Sequence, residues 1–260
     1  MPQFSEMEQT AGTSPQNGVG ARGWQGQRVG ITGANGELGR ALTVQLRGRG
    51  AWVVGISHRA REDASPSSLA AQEWVCWCSG EEDALDATLR SLDVLVLNHG
   101  VNPGGDQDTE TLTKALEINA LSHWRLIQRF EQICLETPTR RRELWVNTSE
   151  AEIQPALSPG YELSKRLIGQ LVSLRWSIPQ RHLSGLPNLR KLVLGPFRSN
   201  LNPIGVMPAT FVAKQILVQA RLGLPLIVVT PNPLTYVLMP LTELGRCLYN
   251  RSFRINHPDR

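Results

Sequence analysis

Tyr161 and Lys165 place a phenol and an ammonium four residues apart in the string Tyr161-Glu162-Leu163-Ser164-Lys165. On a helix that spacing puts both groups on one face. A tyrosine hydroxyl with a pKa of about 10 in water is a weak acid–base catalyst at neutral pH. A neighbouring ammonium favours the phenolate and lowers that value, so the pair could move a proton to or from a reacting oxygen. The spacing alone is common, and surface packing would explain it equally well.

A second chemical signal is Thr32-Gly33-Ala34-Asn35-Gly36-Glu37-Leu38-Gly39. It lies between an apolar run, Arg28 to Thr32, and a segment with leucines at helical spacing (Leu38, Leu42, Leu46). Glycines there let the backbone turn tightly and approach a pyrophosphate, and the helix N-terminus offers N–H groups and partial positive charge. Gly33, Asn35, Gly36, Leu38 and Gly39 are therefore the expected phosphate-side contacts, with Glu37 turned away. A plain strand-to-helix turn is the alternative. An NAD site usually carries an acid at the end of the second strand. None occurs between Gly50 and Arg61, where Ser57, His58 and Arg59 stand instead. A hydroxyl and a guanidinium suit a 2′-phosphate, which points to NADP(H) over NAD(H).

The elements that must position these groups alternate along the chain. Strands are expected at Arg28–Thr32, Ala51–Ser57, Trp74–Cys78, Asp93–Asn98, Glu143–Thr148, Leu189–Leu194 and Leu226–Thr230. Helices are expected at Leu38–Arg49, Asp83–Ser91, Thr111–Glu136, Tyr161–Trp176 and Pro208–Leu222, with a helix or loop in Arg59–Gln72. Short apolar strands alternating with helices predict an α/β fold, a doubly wound parallel sheet of about seven strands covered on both faces. Residues 1–26 are polar and read as a flexible tail. Residues 27–260 form one domain, with 231–260 as a C-terminal cap or extension.

These motifs together resemble the short-chain dehydrogenase/reductase family, at the length of its single-domain members. The likeness runs from about Gln27 to Thr230. It rests on the TGxxGxxG turn, Asn98-His99-Gly100 after strand four, Asn119 in the following helix, Ser149 after strand five, the YxxxK at Tyr161 and Lys165, and Gly195-Pro196 after strand six. The resemblance implies that Tyr161 exchanges a proton with a carbonyl or alcohol oxygen and that Ser149 hydrogen-bonds that oxygen. Lys165 would tune Tyr161 and hold the nicotinamide ribose. Asn119 would order a water behind the lysine, and Asn98, Gly100 and Pro196 would border the cofactor. An oxidoreductase interconverting a carbonyl and an alcohol on a small or lipid-like substrate follows. A catalytically silent NADP(H)-binding scaffold or sensor of the same fold is the alternative, and retention of all four catalytic-type residues favours the enzyme.

The pattern departs from the family in places. Glu37 stands where glycine is usual, which resembles the family's extended members, although the chain is too short for their large substrate region. His99 replaces a small residue near the cofactor and is expected to fill space there. Cys78-Ser79 occupies the place of an acid that touches adenine.

Composition bounds the rest. The 260 residues are 41% hydrophobic and 19% charged with net charge +4, enough for a core and too evenly spread for a nucleic-acid stripe. Arg140, Arg141 and Arg142 read as a solvated loop. Cys76 and Cys78 lack a second pair and read as buried free thiols. His58, His123, His182 and His257 show no metal spacing. No signal pattern starts the chain, so a cytoplasmic protein is expected. Leu222 to Thr242 is uncharged but holds Pro225, Pro231, Pro233 and Pro240, which argue against one continuous helix. That segment is expected as strand seven with a hydrophobic cap or dimer contact, or else at a membrane surface. A homo-oligomer, dimer or tetramer, is expected. The substrate is not named by the polar residues Arg198, Ser199, Asn200 and Asn202 that should border its pocket.

Overall fold

The runs Val94–Leu97 and Leu226–Val229 consist wholly of Val, Ile and Leu and are buried nearly end to end, and burial on both faces selects parallel pairing. A computed structural model describes residues 23–58, 71–176 and 184–253. Its strands are β1 Arg28–Thr32, β2 Trp52–Ser57, β3 Glu73–Cys76, β4 Val94–Leu97, β5 Glu143–Ser149, β6 Asn188–Leu194 and β7 Leu226–Val229. They form one parallel sheet in the order β3-β2-β1-β4-β5-β6-β7. The strand order reverses between β1 and β4, which opens a crevice at their C-terminal ends. The helices are α1 Glu37–Arg47, α2 Asp86–Ser91, α3 Thr109–Leu116, α4 Ser122–Glu136, α5 Pro159–Trp176, α6 Ala209–Arg221 and α7 Thr235–Phe253. Two apolar cores result. Leu38, Leu42, Val212 and Ile216 from α1 and α6 cover one face of the sheet. Leu126, Phe130, Ile168 and Val172 from α4 and α5 cover the other.

The expected alternation is present, and the differences have local causes. The long helical region after β4 is interrupted: Glu117–Leu121 forms a π-helical turn between α3 and α4. The prolines of 222–242 do break the segment, into β7 and a turn, but Pro240 lies inside α7 as its sixth residue. Cys76 and Cys78 are exposed rather than buried, because β3 is the edge strand, while Cys134 is buried. The arginine run is not a plain solvated loop. Arg142 is buried, with its guanidinium donating to the Arg90 carbonyl, and Arg140 pairs with Asp93 at 2.7 Å. Among the described residues no helix is long and apolar enough to cross a membrane, and no cluster of His, Cys, Asp or Glu could hold a metal. Residues 23–26, expected as the end of a flexible tail, are instead anchored on the sheet: Trp24 is buried with its ring edge-on to Trp145 at 5.4 Å, because removing so large an apolar ring from water is favourable. Residues 1–22, the 59–70 stretch with Arg59, and His182 and His257 lie outside the described residues.

Candidate active site

The glycine turn follows β1 directly. Gly33 has φ +64°, and a side chain there would meet the His99 backbone at 2.8 Å. A Cβ on Gly39 would lie 2.4 Å from the Gly33 carbonyl, so helix and turn pack too closely for any side chain. Gly36 is exposed at the start of α1, where no side chain caps the helix. Glu37 pairs with Arg40 of its own helix. Asn35 turns toward β2 and donates to the Ser57 hydroxyl at 2.9 Å. His58 is exposed beside it. A bare helix N-terminus, glycines where the turn must be approached closely, and a hydroxyl at the end of β2 fit a dinucleotide with its pyrophosphate on α1.

Asn98, at the end of β4, is tied in two directions. Its backbone N–H donates to Thr32 Oγ1 at 2.9 Å, and its side-chain oxygen accepts from Asn147 Nδ2 at 3.0 Å. Next to it, His99 fits between Trp77, edge-on at 5.1 Å, and His123, stacked at 3.9 Å. Its two ring nitrogens lie 2.8 Å from Thr32 Oγ1 and Ser122 Oγ. Ser122 Oγ also donates to the Ile118 carbonyl, and Thr32 Oγ1 to the Val96 carbonyl. Burial, aided by the Lys165 charge, pushes the His99 pKa down to about 3. His99 fills space, as expected, and also ties β1 to α4.

Asn119 projects from the π-helical turn. It exchanges two hydrogen bonds with the Val101 backbone, at 2.8 and 2.9 Å, and donates to Ser164 Oγ at 2.9 Å. The turn widens the helix where Asn119 must reach across to the β4 loop, a common place for such turns. Ser164 is a buried residue of α5 that no sequence motif marks. Its hydroxyl donates to the Tyr161 carbonyl at 2.8 Å and so locks Asn119 to α5. The signal that could have found it is its position beside Lys165 together with a small polar side chain on a buried face.

Tyr161 and Lys165 share the inner face of α5, with Lys165 Nζ 5.8 Å from the Tyr161 ring centroid. Lys165 is buried, and Nζ donates to the Asn147 carbonyl at 3.1 Å. Burial lowers its pKa to about 8 against the pull of Glu152. The Tyr161 hydroxyl, at the inner end of a half-buried side chain, is raised above its usual value by burial. The Ser149 hydroxyl opposes this and the Glu150 carboxylate adds to it. Ser149 ends β5, and Pro196 follows Gly195 at the end of β6, where a Cβ on the glycine would meet Thr230 Oγ1 at 2.3 Å. Asn119, Ser149, Tyr161 and Lys165 thus gather at one edge of the sheet with Gly33 to Gly39, Asn98, Gly100 and Pro196. Ser57 lies further along that edge.

No family model matches the chain. The fold is that of solved short-chain dehydrogenases. One from Burkholderia cenocepacia, in complex with NADP, is 14% identical with TM-score 0.70, covering 88% of this chain and 98% of its own. Another from Sphingobium yanoikuyae, in complex with NADPH, is 16% identical with TM-score 0.70, covering 90% and 98%. A curated relative, the monoglucosyldiacylglycerol epimerase of Synechocystis, is 38% identical over 235 residues. That match takes in 88% of this chain, which spans about 55% of the relative's length.

Proposed function

The chain has the fold of solved short-chain dehydrogenases, and from that premise we propose that it moves hydride between NADP(H) and a carbinol or carbonyl carbon. The observation that carries this reading is the Tyr161 hydroxyl set between Ser149 and the buried Lys165, at the sheet edge that also holds the glycine turn. The cofactor supplies or accepts the hydride. Tyr161 holds the proton that the substrate oxygen gains on reduction or gives up on oxidation, and Ser149 hydrogen-bonds the same oxygen, stabilising charge there. Lys165 keeps a cation beside the phenol. Asn119, Ser164 and Asn147 hold those groups in register. The backbone of Gly33, Gly36, Leu38 and Gly39 would cradle the pyrophosphate, and Ser57, His58 and Arg59 would select the 2′-phosphate over NAD(H).

The substrate in this reading is a hydroxyl of a sugar carried by a lipid. The 38% identical relative supports it, since its name gives a glucosyl lipid as substrate. It also favours net epimerisation: the carbinol is oxidised to a ketone and reduced back on its other face, so no cofactor is consumed. Monoglucosyldiacylglycerol with a trace of NADP+ tests both. Conversion to a stereoisomeric hexosyl lipid without net reduced cofactor supports epimerisation. Accumulation of NADPH and a ketone makes the chain a dehydrogenase. NADPH binding without turnover of any alcohol or carbonyl would leave a silent scaffold of this fold.

A further inference from the structure

Helix α7 is built the wrong way round for a helix that faces water. A surface helix normally turns its apolar stripe inward and its charges outward. The inner side of α7 carries Glu243, whose carboxylate accepts from Lys191 Nζ and Ser173 Oγ, both at 2.8 Å. The outer side carries Val237, Leu238, Leu241, Leu244 and Leu248, and Leu234 stands just before its first turn, each 44–62% exposed. They recur three and four residues apart, so they form one stripe along the helix. No charged residue interrupts it between Leu234 and Leu248, because Arg246 turns inward to Glu243. Tyr236 and Tyr249 flank the stripe and are also exposed. A contiguous exposed apolar surface of this kind marks an interaction site.

Its place in the fold connects it to the active site. The first residue of α7, Thr235, donates to Glu150 Oε2 at 3.2 Å, and Glu150 follows Ser149. The loops leaving β5 and β6 at the same edge also expose apolar side chains, Leu157 at 86%, Ile204 at 72% and Val206 at 64%. The Leu201 carbonyl accepts from Asn102 Nδ2 at 2.9 Å, which joins the β6 loop to the loop after β4.

We propose that the outer face of α7 lies flat in the surface of a lipid bilayer, presenting the active-site edge to a substrate whose acyl chains stay in the membrane. The substrate half of this rests on the lipid-linked reading above. A bilayer suits the face better than water or a charged protein surface: leucines enter the acyl boundary, tyrosines sit at the headgroup level, and no charge opposes burial. The helix cannot span, as none of the described helices is long and apolar enough. Beyond the inward pair Arg246–Glu243, the sequence from 247 to 260 carries Arg251, Arg254 and Arg260 against Asp259, an excess that favours anionic headgroups.

Flotation of the full chain with vesicles of phosphatidylcholine and phosphatidylglycerol in equal parts tests this, using Leu241→Asp/Leu244→Asp as the comparison. The native chain should float, and the double variant should lose roughly tenfold or more of its bound fraction. Its circular dichroism and NADPH binding should be unchanged. Flotation that is absent, or equal in both proteins, overturns the proposal. So does a dimer that the same substitutions dissociate without any vesicle binding, which would make the stripe a contact between copies. A native chain that floats but turns over no lipid-linked sugar refutes the substrate reading and leaves the docking face standing.

Discussion

Lys165 is fastened to Asn147: its Nζ donates to the Asn147 carbonyl at 3.1 Å, while the Asn147 side chain donates to Asn98 Oδ1 at 3.0 Å. One strand residue thereby sets both the lysine behind the tyrosine and the loop that follows β4. The ammonium is buried, so its position depends on this acceptor rather than on solvent.

Replacing Tyr161 by Phe removes the proton carrier and leaves the α5 packing intact. Turnover of a confirmed substrate should fall by about 10²–10⁴ while NADPH affinity stays within a factor of about two. Fluorescence titration beside steady-state rates checks both, and a Tyr161→Phe protein at the parent rate would end the proton-transfer assignment.

Two glycines of the turn should separate folding from binding. Gly39→Ala puts a methyl 2.4 Å from the Gly33 carbonyl and should lower stability by about 1–3 kcal/mol. Gly36→Ala meets only the Gly33 carbonyl at 3.3 Å and should fold nearly normally, yet lose NADPH affinity where the phosphates must come close. Urea unfolding and NADPH titration distinguish the pair. Equal loss of stability in both would mean that the turn's glycines serve packing alone.

His99 should make the fold sensitive to acid. Its folded pKa of about 3 lies below the usual His value of about 6.5, so the unfolded chain binds a proton in that window that the folded chain does not. The contribution is present above pH 6.5 and is lost as pH falls toward 3, about 2 kcal/mol of it between pH 7 and pH 5. His99→Phe keeps the stack with Trp77 and His123 and should flatten that dependence by the same amount in urea melts at the two pH values. An unchanged slope would assign the sensitivity to other groups.

Lys191 is fully buried between Glu152 at 2.6 Å and Glu243 at 2.8 Å. Lys191→Met strands Glu152 in the interior, leaves Glu243 to Arg246 and Ser173, and should cost about 3–5 kcal/mol. A Lys191→Met/Glu152→Gln/Glu243→Gln triple variant should recover much of that loss in thermal melts. Burial pushes the Glu152 carboxyl above its usual range, and the Lys191 ammonium opposes that rise.

Much was legible in the sequence because it is local. Apolar runs dictated the strands, leucine spacing dictated α1, and the order of the glycine turn, Asn98, Asn119, Ser149, Tyr161 and Lys165 fixed their places on successive strand ends. Parallel strands then carry those ends to one edge without further information. What the tertiary structure alone decided depends on pairs far apart in the chain. Ser164 locks Asn119 across 45 residues, Asn147 joins Asn98 to Lys165, and His99 stacks on His123. The burial of Arg142 and the exposure of Cys76 and Cys78 follow from strand order, which composition does not encode. The clearest case is α7. The stretch Leu222 to Thr242 reads as uncharged and apolar in either setting, and only the packing of Glu243, just beyond it, onto Lys191 turns the helix so that its leucines face out.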